Sequence, residues 1–258
     1  MGGFKKNKMH PELLHIGNFT IYTYAFCIVV GTLVASIYTK WSAKKELGIF
    51  NLSNNFFYLI FIAGFVGGKL FFYLERPLYF FRNPKLMLDN FSGGFVFYGS
   101  FITIIPILIW YLKKHKIPVL PMLDILAITT TIVHTIGRMG CFFGGCCYGK
   151  PTNSFTGMNF PKTNGIPVHP SQLYEIVGLL SIMSILFLIK KNKQFQGQIF
   201  LIYIAFYAIV RGFLELFRGD KRGFIIDGIL SHSQFIALLL ILSTLLFYNK
   251  LKNKQLKL

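Results

Sequence analysis

The chain has 258 residues, 53% of them hydrophobic and 14% charged, with a mean hydropathy of +0.54 and a formal net charge of +18. A soluble domain carries about 25% charged residues; so few charges could not cover 29 phenylalanines and their apolar neighbours, which excludes a soluble fold. The basic residues fall in short clusters between apolar runs: Lys113, Lys114 and Lys116; Lys190, Lys191 and Lys193; Lys250, Lys252, Lys254 and Lys257. That pattern points to anionic lipid headgroups and away from nucleic acid, which needs a basic face on a soluble module.

In chain order, Lys5, Lys6 and Lys8 precede an apolar stretch that starts near Phe19. The stretch is too long for a signal peptide and no small-residue cleavage site follows, so it reads as a retained first membrane anchor. A membrane helix needs about 20 mostly apolar residues. Seven stretches qualify, at 19–38, 56–74, 95–112, 119–137, 172–189, 197–217 and 231–248. The predicted fold is therefore all-α: a polytopic membrane helix bundle of about seven transmembrane helices, with residues 1–258 as one integral membrane domain. Gly64, Gly67 and Gly68 in the second span predict close helix approach. Two loops are long, 75–93 and 138–171; the latter, between helices four and five, is expected to be structured and functional. Lys and Arg favour cytoplasmic loops. With seven spans this places the N-terminus outside and the C-terminus in the cytoplasm, by a slim margin of charge.

Charges inside apolar spans are costly and mark candidate sites. In the sixth span Arg211 and Glu215 stand four residues apart, on one helical face, and Arg218 is predicted to continue that stripe. The plain alternative is a structural ion pair. Two arginines around one acid at membrane depth suit a phosphate, whose oxygens match the planar guanidinium fork. A second cluster closes the fourth span: His134, Gly137, Arg138, Gly140, Cys141, Gly144, Gly145, Cys146, Cys147 and Gly149. Its glycines predict tight turns whose backbone amides, with Arg138, form an anion cradle. A third cluster, His169-Pro-Ser-Gln172-Leu-Tyr-Glu175, opens the fifth span. Helix capping accounts for Pro170 and Ser171 but not for Gln172 and Glu175. Elsewhere Tyr24 begins the first span, Lys69 follows two glycines, Tyr98 follows Gly93-Gly94-Phe-Val-Phe, and Asp124 lies in the fourth span. For the tyrosines an interfacial anchor is the commoner role.

Four cysteines are too few for a disulfide scaffold. Cys27 reads as a buried apolar side chain. Cys141, Cys146 and Cys147 are bunched on one arm rather than paired on two, so no metal is expected, although Cys141 with either neighbour could close a disulfide.

At these residues the sequence resembles the prolipoprotein diacylglyceryl transferase family. Gly137-Arg138-x-Gly140 matches the core of its Gly-Arg-x-Gly-Asn-Phe signature. His169-Pro-Ser-Gln-Leu-Tyr-Glu175 matches a family segment without change, and Arg211-x-x-x-Glu215-x-x-Arg218 matches another. Gly67-Gly68-Lys69 resembles a Gly-Gly-Arg element, and Ser233-Gln234 the start of the last helix. The resemblance implies transfer of the diacylglyceryl group of phosphatidylglycerol to the lipobox cysteine of a prolipoprotein signal peptide, in the bacterial inner membrane and without metal or cofactor. It assigns catalysis to Arg138, Arg211, Glu215, Tyr98 and Tyr24. Substrate contact falls to Gly137, Gly140, Cys141, Cys146, Gln172, His169, Glu175, Lys69 and Arg218. Three positions depart from the family pattern: Cys141 replaces its asparagine, Cys146 its following acid, and Tyr98 its histidine. A phenol is a weak base at neutral pH, so Tyr98 as phenolate or His134, one turn before Arg138, would have to take the proton. A lipid-binding or thiol-redox protein on the same scaffold, or transfer to another acceptor, is the competing reading.

Overall fold

The structure, a computed structural model, describes residues 11–16, 19–75, 77–82, 84–89, 95–219, 224–226 and 230–255. The charged segment Asp220, Lys221 and Arg222, which separates the last two expected spans in the sequence, lies outside these residues, as do Gly93, Gly94 and the side chain of Tyr98. An antiparallel hairpin, β1 (Glu12–Ile16) with β2 (Phe19–Tyr22), leads into α1 (Thr23–Leu47). Then come α2 (Asn54–Leu74), the short α3 (Pro77–Arg82) and α4 (Lys85–Asp89), α5 (Phe97–Lys114) and α6 (Val119–Phe143). After an irregular stretch with one 3-10 turn follow α7 (Ser171–Lys190) and α8 (Gln198–Leu214), the latter ending in a 3-10 turn. The hairpin β3 (Phe224–Ile226) with β4 (Leu230–Ser231) precedes α9 (His232–Gln255).

Among the described residues six helices are long and apolar enough to cross a membrane: α1, α2, α6, α7, α8 with its 3-10 turn, and α9. α5 is not among them. It has 18 residues, contains Pro106 and ends on Lys113 and Lys114, which lower its mean hydropathy; its length is within the range that spans a bilayer. Large apolar side chains point outward along the spans: Leu188 is 67% exposed and Leu246 73%. In lipid such exposure costs nothing, and helices associate through packing and polar contacts instead.

Several boundaries differ from the sequence reading: α1 runs to Leu47 and α9 to Gln255, past the expected 38 and 248, and two further differences bear on the site. The first span begins at Thr23 because residues 19–22 satisfy their backbone in the β1–β2 ladder. The fourth span does not stop at residue 137: α6 runs on to Phe143, with Gly137, Arg138 and Gly140 inside the helix. The expected cradle of loop amides at these glycines is thus replaced by helical backbone. Gly140 is small for another reason: a Cβ there would lie 2.9 Å from Cys27 Cβ and 3.3 Å from Tyr24 Cα, so α1 and α6 touch backbone to backbone.

The chain divides into two compact units, Ala43–Met122 and the remainder. In the smaller unit α2 lies against α5 as the glycines predicted. A Cβ at Gly67 would sit 2.6 Å from Gly99 O and collide with the Thr103 hydroxyl. The close approach is used for hydrogen bonds between helices: Ser100 Oγ donates to Gly64 O at 2.7 Å and Thr103 Oγ1 to Ala63 O at 2.9 Å.

In the larger unit the core joins Ala127 and Ile128 of α6, Ile182 and Leu186 of α7, and Ile199 of α8. Asp124, 1% exposed, is structural here. Its Oδ2 accepts from Gly197 N at 2.9 Å and its Oδ1 from Phe200 N at 3.0 Å. It thereby satisfies orphan N–H groups at the α8 N-terminus, and Lys193 Nζ at 3.3 Å balances its charge. Lys190 ties the end of α7 to α1 through Tyr38 OH at 2.9 Å. Ser231 and Gln234 form a reciprocal capping box at the start of α9: Ser231 N donates to Gln234 Oε1 at 3.1 Å, and Gln234 N to Ser231 Oγ at 3.2 Å. Gln234, matched by resemblance, thus does a helix-starting job.

Asp124→Ala should lower stability by about 3 kcal/mol, because Lys193 and two α8 amides lose their partner; an unchanged melting temperature in detergent would refute the capping role. Gly67→Ala should destabilise by about 1–3 kcal/mol through overpacking of α2 on α5, read in the same melt.

Candidate active site

α7 opens at Ser171, which sets Glu175 one turn in and facing α6 and α8. Its side chain is 3% exposed. An ionised carboxylate at that depth requires cationic or donor partners, and it has three. Arg138 Nε lies 2.9 Å from Oε2, His134 Nε2 3.2 Å from Oε1, and Tyr207 OH donates to Oε1 at 3.4 Å. His134 and Arg138 are four residues apart on α6, so one helical face delivers both. α8 repeats the spacing: Tyr203, Tyr207, Arg211 and Glu215 recur every fourth residue. Tyr203 stacks on Tyr207, and the Tyr207 ring meets His134 at 5.3 Å.

Arg211 Nη2 is 3.0 Å from Glu215 Oε2, the pair predicted from sequence. The contact is ionic rather than a well-aimed hydrogen bond, and Arg211 Nη1 is buried with no hydrogen-bond partner. Arg211 is close enough to Glu175 and Tyr207 for their charges to interact. Arg138 on α6 is thus paired with Glu175, and Arg211 on α8 with Glu215. Arg218 does not extend their stripe as predicted. α8 ends at Leu214, and Arg218 is extended (φ −77°, ψ 142°) and bridges Gly149 in antiparallel fashion.

The cysteines gather beside this cluster. Gly145 has φ +63° and ends α6 in a Schellman motif: Cys146 N donates to Cys141 O at 3.1 Å and Gly145 N to Phe142 O at 3.1 Å. Cys147 is also left-handed, at φ +63°. The loop is then pinned to the start of α7. Ser171 Oγ donates to Cys147 O at 2.9 Å, and Gln172 Nε2 to Cys146 O. Hydrogen bonds from the Cys141 and then the Cys146 thiol hold Cys147 well below the ordinary thiol range, helped by the positive charges of Arg138 and Arg218.

Of the other sequence-derived candidates, Tyr24 is half exposed and packs its ring on Gly140, near Arg138 and the three thiols. Gly137 faces Ile28 of α1. Gln172 is buried, with its amide nitrogen spent on the loop and its Oε1 unpartnered. His169 sits with other partners: its Nδ1 is 3.1 Å from Tyr174 OH, and its ring meets Phe217 edge to face. Lys69 and Tyr98 belong to the smaller unit; Lys69 is buried and lies over the Phe72 ring. Sequence reading passed over Tyr207 and Tyr203. The four-residue period running back from Glu215 was the signal that could have found them.

The sequence profile of the family described as Prolipoprotein diacylglyceryl transferase matches residues 11–249. A Clostridium tetani protein named phosphatidylglycerol–prolipoprotein diacylglyceryl transferase is 33% identical, covering 93% of this chain and 97% of its own length. A Clostridium perfringens protein with the same name and the numeral 2 is 31% identical over 96% and 98%. A Rickettsia canadensis protein of that name is 31% identical over 95% and 98%. The chain belongs to the prolipoprotein diacylglyceryl transferase family.

Proposed function

We propose that this protein transfers the diacylglyceryl group of phosphatidylglycerol to the cysteine thiol of a prolipoprotein lipobox, within the bacterial inner membrane. Near-complete coverage by relatives bearing that name supports the reaction. The observation that carries the site is the pair of guanidiniums, each held by an acid: Arg138 by buried Glu175 and Arg211 by Glu215.

The reaction makes a sulfur–carbon bond at the glyceryl carbon and breaks that carbon's bond to the phosphate oxygen. The thiol proton must leave, and glycerol phosphate departs with an added negative charge. Arg138 is held to Glu175 through Nε, so its two Nη groups are directed to the phosphate. Arg211 brings its unpartnered Nη1. Both then stabilise charge that develops in the transition state. Glu175 positions Arg138 and orients His134, whose second ring nitrogen takes the thiol proton. Glu215 steadies Arg211, and Tyr24, Gln172 and the Cys141–Cys146 segment border the headgroup. His169 and Arg218 flank the same segment, and Lys69 and Tyr98 are assigned to substrate contact and to catalysis by the family resemblance alone. α5, largely apolar up to its two terminal lysines, makes a seventh crossing; an odd count puts the termini on opposite sides, and the basic clusters place the C-terminus in the cytoplasm and so the N-terminus outside.

Purified protein given phosphatidylglycerol vesicles and a lipobox peptide should yield the thioether-linked diacylglyceryl peptide by mass. No product, with a peptide that a relative modifies, overturns the reading. Arg138→Ala and Arg211→Ala should each cut kcat at least about 100-fold, and near-normal rates would remove the phosphate role. His134→Gln should lower kcat by about 100-fold or more and abolish the loss of rate on acidification that protonating a base causes; an intact pH profile would reassign the base. Reporter fusions at the C-terminus should read cytoplasmic, and an external signal would invert the topology.

A further inference from the structure

We propose that Cys141, Cys146 and Cys147 form a three-sulfur binding site for a soft d10 cation of the Cu(I) or Zn(II) class. Their Sγ atoms all lie within 4.8 Å of one another. Three sulfurs bound to one such ion at about 2.3 Å stand about 4 Å apart in a trigonal set, so the cluster needs a contraction of at most about 0.8 Å. Sequence spacing argued against a metal because the ligands share one arm. The fold removes that objection. A Schellman motif brings its residues C3 and C″ together across the helix end, here Cys141 and Cys146, where an apolar contact usually sits. The left-handed Cys147 then turns a third thiol onto the same point. A non-glycine residue rarely adopts that conformation unless its surroundings enforce it, and Ser171 and Gln172 do so by fixing the carbonyls of Cys147 and Cys146.

The ligand atoms are soft, which selects Cu(I) and Zn(II) over Mg(II) or Ca(II). Exposed Cys147 gives an entry path, and buried Cys141 closes the far side. On binding, the thiol protons pass to solvent as thiolates form. The charges of Arg138 and Arg218 act on Cys147 and offset the anionic cage. Resting on the reading of Arg138 as a phosphate ligand, an occupied site competes for that guanidinium and slows transfer.

Full-length protein, reduced with a phosphine in detergent, is titrated with Cd(II) as probe. The expected result is a thiolate-to-metal charge-transfer band that saturates at one ion per chain. Cys27→Ser retains it. Cys147→Ser, which alters only the exposed ligand, weakens binding at least about tenfold, and the triple Ser variant loses the band while keeping its melting temperature. No band in wild type, or a band that survives the triple substitution, overturns the site. This readout is independent of turnover, so an inactive enzyme that binds the ion fails the transferase reading alone. In active enzyme, Zn(II) that binds without slowing transfer removes the competition for Arg138.

Discussion

The larger unit is organised around one buried carboxylate. Glu175 reaches Arg138 and His134 on α6 and Tyr207 on α8 from its own place on α7. Uncompensated charge in a low-dielectric interior costs several kcal/mol, so the three helices are held to the one register in which these partners meet. The same constraint orients the Arg138 guanidinium. An arginine at membrane depth, tethered by a buried acid, keeps its remaining donors pointed in fixed directions instead of snorkelling to the interface. The proposed phosphate-binding geometry and the helix packing thus rest on the same contact.

Other helix contacts follow the logic of a protein surrounded by lipid. Where apolar surface gains nothing from burial, contact is decided by how closely backbones approach and by what they can hydrogen-bond. Gly140 against α1 and Gly67 against α5 give the approach. Ser100, Thr103 and Asp124 give the polar ties.

Hydropathy made the membrane spans legible, because runs of about 20 apolar residues match the thickness of a bilayer and are rare in water-exposed chains. The Arg211–Glu215 pair was legible from four-residue spacing alone. Arg138 was found, but in the wrong setting: glycines near a helix end suggested a turn, whereas in this bundle Gly137 and Gly140 accommodate a neighbouring helix. Nothing local in the sequence says that α7 will face α6, so Glu175 read as a motif member and not as the hub. Arg218 was misplaced because a 3-10 turn, invisible to a 3.6-residue period, ends the face after Leu214.

α8 is gripped at both ends. Asp124 holds the amides at its start, and the strand-like contact of Arg218 with Gly149, reinforced by Lys150 N to Phe217 O at 2.8 Å, holds the chain just past its finish. A helix anchored this way cannot move as a piston along its own axis without breaking both fastenings together. It can only pivot or bow between them. Arg211 and Glu215 lie near the second fastening, where displacement is smallest, and Tyr207, one turn before Arg211, is tied to Glu175.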